Sequence, residues 1–172
     1  MKWLNWAALA AAGALALAGC AKKVDSAAVA EEMKSATGEW AAAYNAGDAD
    51  KIAGFYAADG MVMPPHAPAA QGADAIRKFV AEDSANAKKG GVTLAIEPTS
   101  GGASGAFAWQ VGTYKVTDGS GNAVDTGKFI ELRKNVDGKW MITHDIWNSD
   151  QPPPAPAEAP AADAAATTPP SS

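Results

Sequence analysis

Between residues 27 and 46, Val29, Met33, Ala36, Trp40, Ala43 and Tyr44 recur at helical spacing and mark one apolar face. "NAGD" ends this helix, with Gly47 placed for a left-handed C-terminal cap and Asp48 free to cap the next helix. The second helix is short, with Ile52, Phe55 and Tyr56 facing inward before "ADG" stops it. Met61–Met63 reads as a brief strand closed by Pro64-Pro65, and a loop carrying His66 leads to Gly72. A third helix follows, with Ile76, Phe79 and Val80 on its apolar side. Lys88 and Lys89 sit at its C-terminal end, where they suit the dipole. From Val92 the period changes to two: Val92, Leu94 and Ile96 alternate with polar neighbours, as in a half-buried strand. "PTSGGASG" is expected as a turn, and longer strands are expected over residues 106–117 and 124–135. Asp137-Gly138 is a two-residue hairpin signal before a last strand from Lys139 to Trp147. Three helices and a run of antiparallel strands predict an α+β domain with the helices on one sheet face.

The two ends of the 172-residue chain follow other rules. "MKWLNWAALAAAGALALAGC" has an early lysine, then an apolar run too short and too rich in small residues for a membrane span. Its last residues, Leu17-Ala18-Gly19-Cys20, resemble the bacterial lipobox, in which cleavage precedes a cysteine that carries diacylglycerol. The alternative is an ordinary secretory signal cleaved near Ala18. Cys20 is the single cysteine, so no internal disulfide can form and the core must supply stability. Residues 151–172 hold seven prolines and eight alanines, which predicts an extended, disordered tail. The expected organisation is therefore a signal peptide over 1–19, a linker over 20–26, a folded domain over 27–150 and a tail over 151–172. The expected location is the cell envelope, on the periplasmic side of an outer membrane where the cell has one, or otherwise secreted. The formal net charge of -5, without a basic stripe, argues against a nucleic-acid partner.

"WAAAYNAGDADKIAGFYAADGMVMPP", "GADAIRKFV" and "GKFIELRKNVDGKWMITHDIWNSD", in that order, resemble the SnoaL-like or ketosteroid-isomerase-like superfamily, also called nuclear-transport-factor-two-like. The resemblance spans roughly residues 27–150. It implies a cone, with a curved antiparallel sheet wrapped around helices and an apolar pocket at the open end. It also implies frequent homodimers through the outer sheet surface. It does not imply one function, since members include isomerases, cyclases, dehydratases and non-catalytic modules. Ketosteroid isomerases use a carboxylate base, a tyrosine and a protonated aspartic acid. The matching positions here are Pro64, Trp40 and Ile130, none of which can take those roles.

The remaining chemistry turns on alternation in the last hairpin. A strict two-residue turn at Asp137-Gly138 pairs Ile130 with Asp145, Leu132 with Thr143, and Lys128 with Trp147; a one-residue bulge would change this. Because Ile130 matches a pocket-facing family position, Asp145 and Trp147 are expected to face the cavity. His144 is then expected outside, paired with Glu131. Asp145 on an apolar wall suits a general acid/base or a ligand hydrogen bond, or else only fixes the strand end through a backbone amide or Lys128. His66, at the cavity mouth, is either a proton-exchange partner or a plain loop histidine. Trp40, Tyr44, Phe55, Met63, Phe79, Trp109, Ile130 and Trp147 are the candidate ligand contacts, on walls that are otherwise ordinary core. Two distant histidines and one cysteine offer no metal cluster, and no cofactor motif is present. Two functions remain open. One is a membrane-anchored domain binding a small apolar or amphipathic molecule, with or without turnover through Asp145. The other is a non-catalytic dimeric scaffold.

Overall fold

A computed structural model describes residues 24–152. The expected signal peptide, Cys20 and all but the first two residues of the tail lie outside the described residues. The chain forms α1 (Ser26–Ala46), α2 (Ala49–Ala53), β1 (Tyr56–Met63), β2 (Ala70–Gln71), α3 (Ala73–Lys89), β3 (Thr93–Ser104), β4 (Phe107–Thr117), β5 (Ala123–Val136) and β6 (Lys139–Ser149). Local signals set the helix ends. The Asp25 carboxylate accepts from the backbone N–H of Ala27 and Ala28 at 3.1 Å. Gly47 closes α1 at φ 76°, and the Asp48 carboxylate accepts from Lys51 N at 3.0 Å to open α2.

The six strands form one curved, unclosed sheet in the order β2-β1-β6-β5-β4-β3. Every neighbouring pair is antiparallel except β1 with β6, so the expected antiparallel sheet also carries one parallel pair. The reason is connectivity: β1 and β6 are joined through all the elements between them, so no hairpin forces them to reverse direction. Tyr56, expected at the end of the second helix, is instead the first residue of β1, which puts its ring into the core.

β3 also runs further than its sequence suggests. Residues 98–104, expected in a turn, stay in the strand, with a register shift between Pro98 and Ser100. The glycines there serve close packing against α1. A Cβ on Gly102 would meet Ser26 Oγ at 3.0 Å, the same oxygen that accepts from Ala103 N at 2.9 Å. The reversal falls at Gly105, where φ is 60°. Asp137-Gly138 turns with φ of 52° and 86°, the positive values that a tight hairpin needs.

Apolar side chains from α2, α3, β1 and β6 meet in one core cluster that includes Ile52, Tyr56, Val62, Ile76, Val80 and Ile142. A second cluster of Val29, Met33 and Ala108 joins α1 to β4. Two cross-strand pairs shape the inner surface between them: Gly112 faces Phe129, and Gly127 faces Tyr114. Each glycine leaves room for the opposite ring and for a neighbouring backbone carbonyl: a Cβ on Gly112 would meet the Phe129 ring at 2.6 Å and run into the Glu97 carbonyl oxygen, and one on Gly127 would run into the Tyr114 ring and the Asn148 carbonyl oxygen. Gly112→Ala and Gly127→Ala are each expected to destabilise the domain by about 1–3 kcal/mol. Gly119→Ala, in open space with its nearest neighbour 4.0 Å away, should leave stability almost unchanged. Urea unfolding of the three variants checks this, and equal losses at all three would remove the ring-over-glycine account.

Candidate functional site in the sheet concavity

The inward residues of α1, α3 and the sheet enclose a cavity of about 240 Å³. That is just below the roughly 300–1,000 Å³ of ordinary small-molecule sites. Trp40, Tyr44, Phe79, Tyr114, Phe129 and Trp147 supply aromatic walls, and Tyr56, Glu131, Arg133 and Asp145 supply polar groups. Trp40 stacks on Tyr44 with ring centroids 5.5 Å apart, and Phe79 meets Trp147 at 6.1 Å, so the walls are braced by one another.

A one-residue bulge decides which hairpin side chains reach this space. Near the turn, Arg133 pairs with Ile142. Beyond it Leu132 pairs with His144, Glu131 with Asp145, Ile130 with Ile146, and Phe129 with Trp147. Thr143 is the extra residue, and its hydroxyl donates to the Leu132 carbonyl at 3.1 Å. On β5 the inward set is therefore Phe129, Glu131 and Arg133. On β6 the bulge changes parity, so Ile142 and then Asp145 and Trp147 all point inward.

The polar groups form two hydrogen-bonded sets that sense each other's charge. Tyr56 Oη donates to Asp145 Oδ2 at 2.7 Å. Arg133 is 1% exposed and donates to Glu131 Oε1 from Nη2 at 2.6 Å and from Nε at 2.8 Å. Thr37 Oγ1 accepts from Gln110 Nε2 at 2.8 Å and donates to the Met33 carbonyl at 3.0 Å. Arg133 Nη2 also reaches that hydroxyl at 3.4 Å.

Burial pushes the Glu131 carboxyl up to about 7; Arg133 opposes the shift and the Asp145 charge adds to it. Burial pushes Asp145 up to about 6, against the Tyr56 hydrogen bond and the Arg133 charge. Tyr56, buried beside both acids, is held well above the usual phenol range and stays a neutral donor. The pair thus exchanges protons near neutrality, which suits both acid/base work and hydrogen bonding to a ligand.

Of the side chains expected at the pocket, Trp40, Tyr44, Phe79, Asp145 and Trp147 line the cavity. Ile130 does not: it is 44% exposed on the outer sheet face, opposite Ile146. The expected pairing of Ile130 with Asp145 fails because the Thr143 bulge shifts the partners by one. The expected pairing of Glu131 with His144 fails for the same reason, and Glu131 is buried inside. Trp109 is 41% exposed on the outer face opposite Leu132, and Met63 pairs with Ile146 there. Phe55 packs against the first core cluster without lining the cavity. His66 is exposed in its loop with φ 59°; its neighbour Pro65 reaches the cavity instead.

Glu131 and Arg133 were missed in the sequence because "KFIELRK" places them on the face opposite apolar Ile130 and Leu132, and ordinary alternation buries the aliphatic face; Tyr56 was missed as a site residue because its spacing reads as the inward end of the short helix. The signal that could have found them is the opposite-signed pair at Glu131 and Arg133, two residues apart on one strand face. Among the described residues no group of three or more His, Cys, Asp and Glu side chains could hold a metal ion. No described helix is long and apolar enough to cross a membrane.

Comparison with known proteins bears on the fold. Residues 38–142 match the model of the SnoaL-like domain family. An NTF2-like protein with a cystatin-like fold from Novosphingobium aromaticivorans superposes with a TM-score of 0.63 at 16% identity, covering 68% of this chain and 79% of its own. An NTF2-like protein from Pseudomonas putida gives 0.61 at 17% identity, covering 71% and 87%. A ketosteroid isomerase-like protein from Erwinia carotovora gives 0.52 at 21% identity, covering 66% and 89%. At such identities the likeness concerns the fold alone. No curated protein matches the sequence.

The carboxyl pair makes a pH prediction. Both folded pKa values lie above the ordinary values of 3.8 and 4.5, so the folded state binds more protons than the unfolded chain between about pH 4 and pH 7. Stability should therefore fall as pH rises through that window, and level off above it. Asp145→Asn removes one acid and relieves the repulsion on Glu131, so its melting temperature should fall less between pH 5 and pH 8. Thermal melts of both proteins across that range check this, and parallel slopes would contradict it.

Proposed function

Since the chain belongs to the SnoaL-like domain family, whose fold often binds small molecules, we propose that this cavity binds a small amphipathic molecule. Its apolar body would lie among Trp40, Phe79, Phe129 and Trp147, and its polar end would meet Asp145. One observation carries this reading: a walled cavity of about 240 Å³ ends on a polar group whose second oxygen is unused. Asp145 Oδ2 takes the Tyr56 hydroxyl at 2.7 Å, while Oδ1 makes no hydrogen bond among the described residues. A proton-transfer reaction at the same place is the second reading. It is favoured by the paired acids Glu131 and Asp145, one of which can donate while the other accepts near neutral pH.

We further propose that Cys20 carries the lipid that holds the domain on a membrane facing the periplasm, since the single cysteine ends a lipobox-like stretch. Homodimerisation through the outer sheet face is part of the same reading. Trp109, Ile130, Leu132 and Ile146 are each 41–44% exposed there on neighbouring strands, an apolar area of the kind that marks interaction surfaces.

Native mass spectrometry of the full-length protein, incubated with envelope extract from its source cell, tests the first two proposals together. The expected spectrum shows a retained small-molecule mass that is lost in Trp147→Ala and reduced in Asp145→Asn, on a chain beginning at lipidated Cys20. A spectrum free of small molecules would remove the binding reading, and an unmodified Cys20 would remove the anchor. Light scattering after gel filtration reads the oligomer. Ile146→Lys is expected to give monomers where the parent gives dimers, and a monomeric parent would exclude this interface.

A further inference from the structure

The charges around the cavity are unevenly matched. Asp83, Asp125, Glu131 and Asp145 line it, against Arg133 as the one lining cation among the described residues. Arg133 is already committed to Glu131 at 2.6 Å. The other three carboxylates hold no salt bridge among the described residues. Each instead accepts a tyrosine hydroxyl: Tyr44 donates to Asp83 Oδ2 at 2.7 Å, Tyr56 to Asp145 Oδ2 at 2.7 Å, and Tyr114 to Asp125 Oδ2 at 3.1 Å.

A phenol donor supports the ionised carboxylate without cancelling its charge. It also turns an aromatic ring toward the space beside that carboxylate. Asp125 has both oxygens occupied, since Ser149 Oγ donates to Oδ1 at 2.6 Å. Asp83 Oδ1 and Asp145 Oδ1 accept nothing among the described residues and remain free for a ligand. With Trp40, Phe79, Phe129 and Trp147 completing the wall, the cavity has an electronegative interior lined by ring faces and edges. Ring quadrupoles attract positive charge, most strongly where water is excluded. The partly buried carboxylates add Coulomb attraction in a medium that screens less than water. A bare metal ion does not fit, because these oxygens are dispersed among rings and form no metal-binding group among the described residues. An anion would face three carboxylates that no cation pairs among the described residues, with the guanidinium already satisfied by Glu131.

We propose that the ligand of this cavity is a small organic cation, a protonated or quaternary amine on an apolar body. This inference rests on the reading of the cavity as a binding site and narrows it to one charge class. The ammonium group is drawn by the free oxygens that Asp145 and Asp83 each present to the cavity, with its hydrocarbon part against the tryptophan and phenylalanine rings. Discrimination against a neutral analogue of the same shape then comes from charge, and discrimination by shape comes from the small volume.

Three probes of nearly equal size separate the possibilities by titration calorimetry on the full-length protein: 2-phenylethylammonium, 2-phenylethanol and phenylacetate. The cation is expected to bind about tenfold or more tighter than the alcohol, with the carboxylate weakest. Asp145→Asn and, independently, Asp83→Asn should each weaken the cation severalfold while changing alcohol binding by less than about twofold; the second variant serves if the first fails to fold. An alcohol that binds as tightly as the cation would overturn the cation proposal and leave the cavity reading intact. Phenylacetate binding tightest would overturn it in favour of Arg133 as the anchor. Binding by none of the probes at millimolar concentration would also overturn it. The broader binding reading would then be judged separately by the retained mass in envelope extract.

Discussion

Arg133 cannot be left alone. Its guanidinium sits in the interior at 1% exposure, where an unpaired charge would be prohibitive, and four elements are arranged around it. Glu131, two residues earlier on β5, supplies the counter-charge, and Thr37 on α1 presents a hydroxyl. Gln110 on β4 occupies the same hydroxyl, and Asp145 on β6 feels the guanidinium's field. The ion pair contributes little net stability by itself, because desolvation offsets most of its attraction. Its main effect is to fix registry: α1 cannot slide along the sheet without separating Thr37 from Gln110 and Arg133.

The same interaction explains why the site's acids behave as they do. Glu131 is neutralised by Arg133, yet its burial and the nearby Asp145 still favour the protonated form. Asp145 lacks a cation of its own and leans on a neutral phenol. Two acids sharing one guanidinium cannot both ionise freely in an apolar surrounding. Proton exchange near neutral pH is thus a property of the group and not of one residue.

The helices, their caps and the final turn were legible because each is written locally. Asp48 and Gly47 mark helix ends, and Asp137-Gly138 marks a turn, whatever surrounds them. The aromatic walls at Trp40, Tyr44, Phe79 and Trp147 were also legible, since a helical face and a strand face place them on one side of the domain. The polar end of the cavity was only half legible. Asp145 was expected inward through a pairing with a pocket-facing Ile130, but Ile130 faces out and pairs with Ile146, so two errors cancelled. Glu131 and Arg133 could not be found, because their strand turns this acid and base inward and its isoleucine and leucine outward. Tyr56 was hidden by the short helix before it, whose apolar spacing runs on into the first strand residue. The length of β3 depended on α1 packing over Gly101 and Gly102, a tertiary contact that no local turn signal announces.

Thr143 shows how such a strand stores its orientation. Inside and outside are encoded by odd and even count, and this residue inverts the count midway. Ile142 and Asp145 differ in parity yet share a face, while His144 and Ile146 are carried to the opposite one. Were the bulge straightened with Thr143 kept in the ladder, the distal half of the strand would read inside out, with an imidazole toward the interior and an acid toward solvent; loss of Thr143 itself would leave both where they are. The facing of the site's acid is therefore held by the shape of the backbone at one residue and not by that residue's presence.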